Sequence, residues 1–153
     1  GVTLYGVDPS VSAIEEARRR SKGYGTFNVG TIEHAPLERF DVVCYNFSLQ
    51  YQPLELLSEV TKRLEKGGFF IGVVTDSTRI DEAEYHGIFA EYTNSEKNFV
   101  TVYVPDTPYY ANGPITEPIL DKENLIQEAT RLGMKLLVWD PFSIYAKFVF
   151  RYQ

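Results

Sequence analysis

GVTLYGVDPSVSAIEEARRRSK, residues 1–22, joins a short apolar run to a segment patterned for a helix. A short apolar run, Val2–Val7, reads as a strand and ends at Asp8. Directly after it Val11, Ile14 and Ala17 recur at helical spacing, so an amphipathic helix follows the strand. Ser12 and Glu15 have capping-box spacing near its start. Lys22, Gly23 and Gly25 stop it. In a nucleotide-binding α/β sheet, an acid at a strand tip accepts hydrogen bonds from ribose hydroxyls. Asp8 therefore points to a nucleoside-containing cofactor without naming it. Its plainer reading is a strand-end residue that caps the helix.

The pattern continues along the chain. Thr26–Val29 is a candidate short strand, and Gly30 to Arg39 a loop. FDVVCYNF (Phe40–Phe47) is a continuous apolar run, as expected of a strand buried on both faces of a parallel sheet. Leu54, Leu57, Val60 and Leu64 predict a helix that ends at Gly67-Gly68, and Phe69–Thr75 another buried strand. A short helix is expected around Ala83–Tyr92, and an antiparallel or edge strand over Asn98–Val104. Leu125, Ile126, Ala129 and Leu132 define a helix from Asp121 to Gly133. Lys135–Trp139 and Ile144–Tyr152 close the chain as a hairpin. Strand–helix alternation followed by a hairpin predicts an α/β fold with a mostly parallel sheet.

Composition excludes several classes. No apolar run approaches membrane-spanning length, so no membrane partner is expected. The net charge of −6 argues against a protein that coats nucleic acid through phosphate contacts, though not against recognition of one nucleotide. A single cysteine, Cys44, excludes an internal disulfide and a Cys-based zinc site, and no metal site is expected. Its place in an apolar strand predicts a buried, inert thiol. His34 and His86 lie in polar, irregular stretches, and no chemical role is expected of either. The absence of a signal or lipidation motif fits an intracellular protein.

With VDPS at Asp8, FDVVCYNFSLQY (Phe40–Tyr51) and LEKGGFFIGVV (Leu64–Val74), the order of elements resembles class I S-adenosylmethionine (SAM) methyltransferases. This implies a Rossmann-like sheet with a C-terminal hairpin, from the family's second strand to its last. Its first strand and Gly-rich loop are missing, so residues 1–153 are expected to be a single domain, the C-terminal part of a longer chain. A narrower resemblance is to the mRNA cap guanine-N7 methyltransferases, particularly those of large DNA viruses. It rests on AlaArgArgArg (Ala17–Arg20), Phe47-Ser48-Leu49-Gln50-Tyr51, GGFFIGVVTDS (Gly67–Ser77), PITEPIL (Pro114–Leu120) and the closing Ile144–Phe150.

The resemblance implies SAM as cofactor, S-adenosylhomocysteine as product and the capped 5′ end of mRNA as substrate. Cofactor contacts fall on Asp8, Thr31, Ile32, Asn46 and Phe47. Thr31 departs from the usual acid of the family, while Ile32 can still pack on adenine. Substrate contacts fall on Arg20 (triphosphate), Gln50, Tyr51, Glu117 (guanine) and Tyr145. Gln50 stands where many relatives have His, and its amide can donate to guanine O6. Other capping-enzyme domains or an activating subunit are the implied partners. The implied location is cytoplasmic or viral, or nuclear for a cellular enzyme.

Guanine N7 offers a lone pair and no proton, and the sulfonium already activates the methyl. No acid–base residue is required. Orientation alone contributes up to roughly 7–11 kcal/mol in favourable systems. Three alternatives remain: a methyltransferase acting on a small molecule or protein, a catalytically inactive methyltransferase-like partner subunit, and, more distantly, an NAD-dependent enzyme.

Overall fold

The computed structural model describes residues 1–82, 89–93, 96, 98–104 and 113–153. The chain forms two compact units, Gly1–Arg39 and Phe40–Gln153.

In the first unit β1 (Tyr5–Asp8) leads through α1 (Val11–Ser21) to β2 (Thr26–Val29). β1 and β2 pair in parallel, Tyr5 against Thr26 through Asp8 against Val29. The helix buries Ile14. It is tied to β2 by Arg18, whose Nε and Nη2 both donate to the Phe27 carbonyl. Its cap is Ser10, whose hydroxyl accepts from the Ala13 amide, and not the expected Ser12–Glu15 pair.

The second unit holds β3 (Phe40–Asn46), α2 (Leu57–Arg63), β4 (Leu64–Thr75), β5 (Phe89–Tyr92), β6 (Phe99–Tyr103), β7 (Ile115–Pro118), α3 (Lys122–Arg131), β8 (Met134–Phe142) and β9 (Tyr145–Tyr152). Its main sheet has the order β3-β4-β9-β8, and a separate ribbon the order β5-β6-β7. Strand–helix alternation gives the parallel pair β3–β4 and the terminal hairpin the antiparallel pair β8–β9, as the sequence predicts; β9 also pairs antiparallel with β4, so this sheet is mixed where a mostly parallel one is expected.

Buried and exposed positions alternate along β4 and β9, with Phe70, Val74, Phe148 and Phe150 inside. Phe70 is the hub, meeting Tyr45, Phe148 and Phe150 at ring separations of 5.7, 5.0 and 6.1 Å. Gly72 lies under this cluster. A Cβ there would sit 2.5 Å from both the Phe148 ring and the Tyr45 carbonyl oxygen.

Three expectations are corrected. The helix predicted to run to Gly67 stops at Arg63, and Leu64 is already the fully buried first residue of β4. Phe40 pairs with Leu64 there, so burial in the sheet overrides the helical spacing. β3 is not buried on both faces: Val42 is 48% exposed and Cys44 is also exposed. Residues 89–92 form strand β5 instead of helix, because Phe89 to Tyr92 find antiparallel partners in Tyr103 to Val100. The remainder of that predicted helix, with His86, lies outside the described residues. No helix among the described residues is long and apolar enough to cross a membrane.

Candidate functional site

In the second unit, the polar residues of interest gather where β3 and β4 end. Asn46 closes β3, paired with Val73. Phe47 then turns into the left-handed region at φ 53°, its amide bonded to the Val73 carbonyl. A non-glycine residue held there stores backbone strain of the kind that clusters at functional sites. The turn carries the chain off the sheet into a 3₁₀ turn, Leu49–Tyr51. Leu49 and Gln50 are buried in that turn, while Tyr51 is exposed. The Phe47 ring stands edge-on to Tyr145, centroids 4.9 Å apart.

Gln50 is 7% exposed, yet among the described residues neither its Nε2 nor its Oε1 finds a hydrogen-bond partner. Leaving a buried polar group unmatched costs about 1–3 kcal/mol. An amide in that state is either a defect or a recognition group.

The ribbon supplies the acid. Glu117 lies on β7, paired with Val100 of β6, and is 5% exposed. The segment is a strand because β7 pairs on one side only, where a terminal proline is tolerated. β7 packs against the Leu49–Tyr51 turn, which brings the strand bearing Glu117 to the segment bearing Gln50. Burial pushes the Glu117 carboxyl above its ordinary range, opposed in part by one hydrogen bond from Thr75. That bond runs from Thr75 Oγ1 to Glu117 Oε2, 3.1 Å.

Thr75 and Asp76 were not singled out from the sequence, and both are buried. The available signal was a polar pair closing an apolar strand, GVVTD. Asp76 is a structural knot: Oδ1 accepts from the Thr78 amide and hydroxyl, and Oδ2 from Trp139 Nε1. Its own amide donates to the Ile144 carbonyl at 2.7 Å. This fixes the end of β4 against the β8–β9 turn. Tyr145 opens β9 and pairs with Thr75.

The first unit holds the other candidates. Asp8 ends β1, and its Oδ1 accepts from the Ser10 amide at 2.8 Å. That is the capping arrangement, and it leaves Oδ2 with no hydrogen bond among the described residues. Gly30, just after β2, donates its amide to the Asp8 carbonyl, so Thr31 and Ile32 follow close to the strand tip. Ile32 is buried. Thr31 caps a 3₁₀ turn together with His34, its amide donating to His34 Nδ1 at 3.2 Å. Arg20 is exposed and engaged with Glu16 at 2.6 Å. Arg19 and Arg20 together hold the Glu16 carboxyl at about 2. A surface pair of this type is weak, and Arg20 can exchange it for a stronger anion.

Asp8, Thr31, Ile32 and Arg20 therefore belong to one unit, and Asn46, Phe47, Gln50, Tyr51, Glu117 and Tyr145 to the other. Among the described residues no group of three or more His, Cys, Asp or Glu could hold a metal ion. Partial burial raises the thiol pKa of Cys44, away from the reactive thiolate.

Residues 1–72 match the family described as "Methyltransferase domain". Among curated proteins the chain is similar to carboxy-S-adenosyl-L-methionine synthase of Campylobacter curvus, 32% identical over 77 residues, covering 46% of this chain and 33% of that protein. The chain thus spans about a third of the length of that relative. Among solved structures it is similar to the PH0226 protein of Pyrococcus horikoshii, with a TM-score of 0.71 and 20% identity over 100% of this chain and 73% of that one. An S-adenosylmethionine-dependent methyltransferase of Clostridium acetobutylicum matches with a TM-score of 0.68 and 16% identity, over 99% and 75% of the two chains. The fold is the Rossmann-like α/β fold of class I methyltransferases.

Proposed function

We propose that this chain is part of a SAM-dependent methyltransferase whose acceptor is N7 of the 5′ guanosine cap of mRNA. The observation that carries the acceptor is the buried Gln50 amide without a partner, on a turn packed against the strand of the buried Glu117. Guanine presents one acceptor, O6, beside two donor groups, N1–H and N2–H₂. Gln50 Nε2 can donate to the first, and the Glu117 carboxylate can accept from the other two. A base lacking those donors would leave the acid buried and unmatched, so discrimination is expected to be sharp.

The first unit fits the cofactor. Asp8 Oδ2 is available for a ribose hydroxyl, while Ile32, buried beside the strand tip, can only back an adenine site from within the unit. Bound SAM supplies a methyl group on a positively charged sulfur, and in-line displacement by the N7 lone pair leaves S-adenosylhomocysteine. The chain's own residues orient and select. Phe47 and Tyr145 form an aromatic corner beside the acceptor groups, and Arg20 is placed in the triphosphate-binding role. The mRNA 5′ end, other capping-enzyme domains and an activating subunit are the partners this reading implies.

A small-molecule acceptor is the second reading. It is favoured by the curated relative, which is named for making carboxy-S-adenosyl-L-methionine. Isothermal titration with SAM, then with the cap analogue GpppA, separates the two, with methyl transfer to GpppA as the activity readout. Both ligands are expected to bind, and Asp8→Ala is expected to abolish SAM binding alone. SAM binding without GpppA binding at millimolar concentration would remove the cap and leave the small-molecule reading. Failure to bind SAM would leave an inactive partner subunit.

A further inference from the structure

We infer that Thr75 is a positioning residue for Glu117: its hydroxyl holds carboxylate oxygen Oε2, so that Oε1 is the oxygen presented to the acceptor base. The inference rests on the acceptor reading above and assigns a role to a residue outside it. Thr75 is fully buried at the last position of β4. Its backbone is held in the ladder with Tyr145 of β9. A β-branched side chain in a strand has few rotamers, so the hydroxyl direction is fixed with the backbone. The next residue cannot drift either, because Asp76 is bonded through its amide and both carboxylate oxygens.

Donor accounting makes the role specific. A threonine hydroxyl has one proton, and here it is committed to Glu117 Oε2 at 3.1 Å. Among the described residues Glu117 has no other hydrogen-bond donor. Val100 of β6 lies opposite it, and the Leu49–Tyr51 turn packed against β7 carries one titratable group, the exposed Tyr51. Among the described residues, the Thr75 hydrogen bond favours the ionised acid against burial. Without it the carboxyl would be free to rotate and would hold a proton to higher pH. A protonated acid presents an O–H to the donor edge of guanine and loses the match.

The test compares wild type with Thr75→Val, which keeps the shape and loses the proton, and Thr75→Ser, which keeps the donor. Two measurements are made: the titration of the ¹³C-labelled Glu117 carboxyl by NMR without substrate, and the pH dependence of KM and kcat with GpppA. Valine is expected to raise the carboxyl titration midpoint and to raise KM about tenfold with kcat little changed. It should also move the acidic limb of the KM profile upward, and serine should restore all three. An unmoved titration midpoint in the valine variant, or a serine variant no better than valine, overturns the inference. If the midpoint responds as expected while wild type itself shows no affinity for GpppA, the positioning of Glu117 stands and the cap reading fails.

Discussion

Replacing Glu117 by glutamine should make the protein more stable and a poorer binder of its acceptor at once. The side chain is 5% exposed, and burial holds its carboxyl above the ordinary 4.5. Below pH 4.5 the acid is protonated in both folded and unfolded chains, and the substitution changes little. As pH rises through that value toward the raised one, the unfolded chain releases a proton that the folded chain keeps, so wild-type stability falls. Above the raised value the cost is constant. Glutamine escapes it while still accepting from Thr75 through its amide oxygen, although its buried NH₂ lacks an acceptor and takes back part of the gain. Gains from relieving such functional frustration run to about 1–2 kcal/mol, or roughly 2–8 °C in a chain of this size. On the binding side, two hydrogen bonds to a charged acceptor are lost. The affinity for GpppA should drop more than about a hundredfold. Thermal melts at pH 4, 5.5 and 7.5, paired with isothermal titration, read both effects. A variant that melts below wild type at pH 7.5, or binds GpppA unchanged, refutes the reasoning, since a purely structural acid would weaken the fold when removed.

Gln50→Leu removes an amide with both polar atoms buried and unmatched. Its melting temperature should equal or exceed that of wild type while GpppA affinity falls. A clear loss of stability would show that the amide serves the fold. Gly72→Ala places a methyl 2.5 Å from the Phe148 ring and the Tyr45 carbonyl. It should destabilise by about 1–3 kcal/mol in chemical denaturation, and wild-type stability would contradict the close approach.

Much of this was legible because strand and helix periods report burial directly. Thr26–Val29 and the terminal hairpin stand where the sequence places them, and Asp121 caps α3 through the Asn124 amide. The spacing of Leu64 fits a helix as well as a strand, and only pairing with Phe40 decides between them. The site was half legible. Asp8, Gln50 and Glu117 have residue types and positions that carry chemistry on their face. Thr75 does not: its role comes from a contact across 42 positions, which no local pattern encodes. Cys44 was misjudged because an apolar run does not tell whether one side of a sheet or both are covered.

Glu117 faces inward only because β7 pairs with β6 in one alignment, Val100 opposite Glu117 and Val102 opposite Ile115. Side chains alternate along a strand, so a slip of one place would turn the acid outward and Thr116 inward. Val100 and Val102, both wholly buried with Ile80 and Ile144, pin that alignment. One residue added within Phe99–Tyr103 would therefore shift that alignment and turn Glu117 to the opposite face.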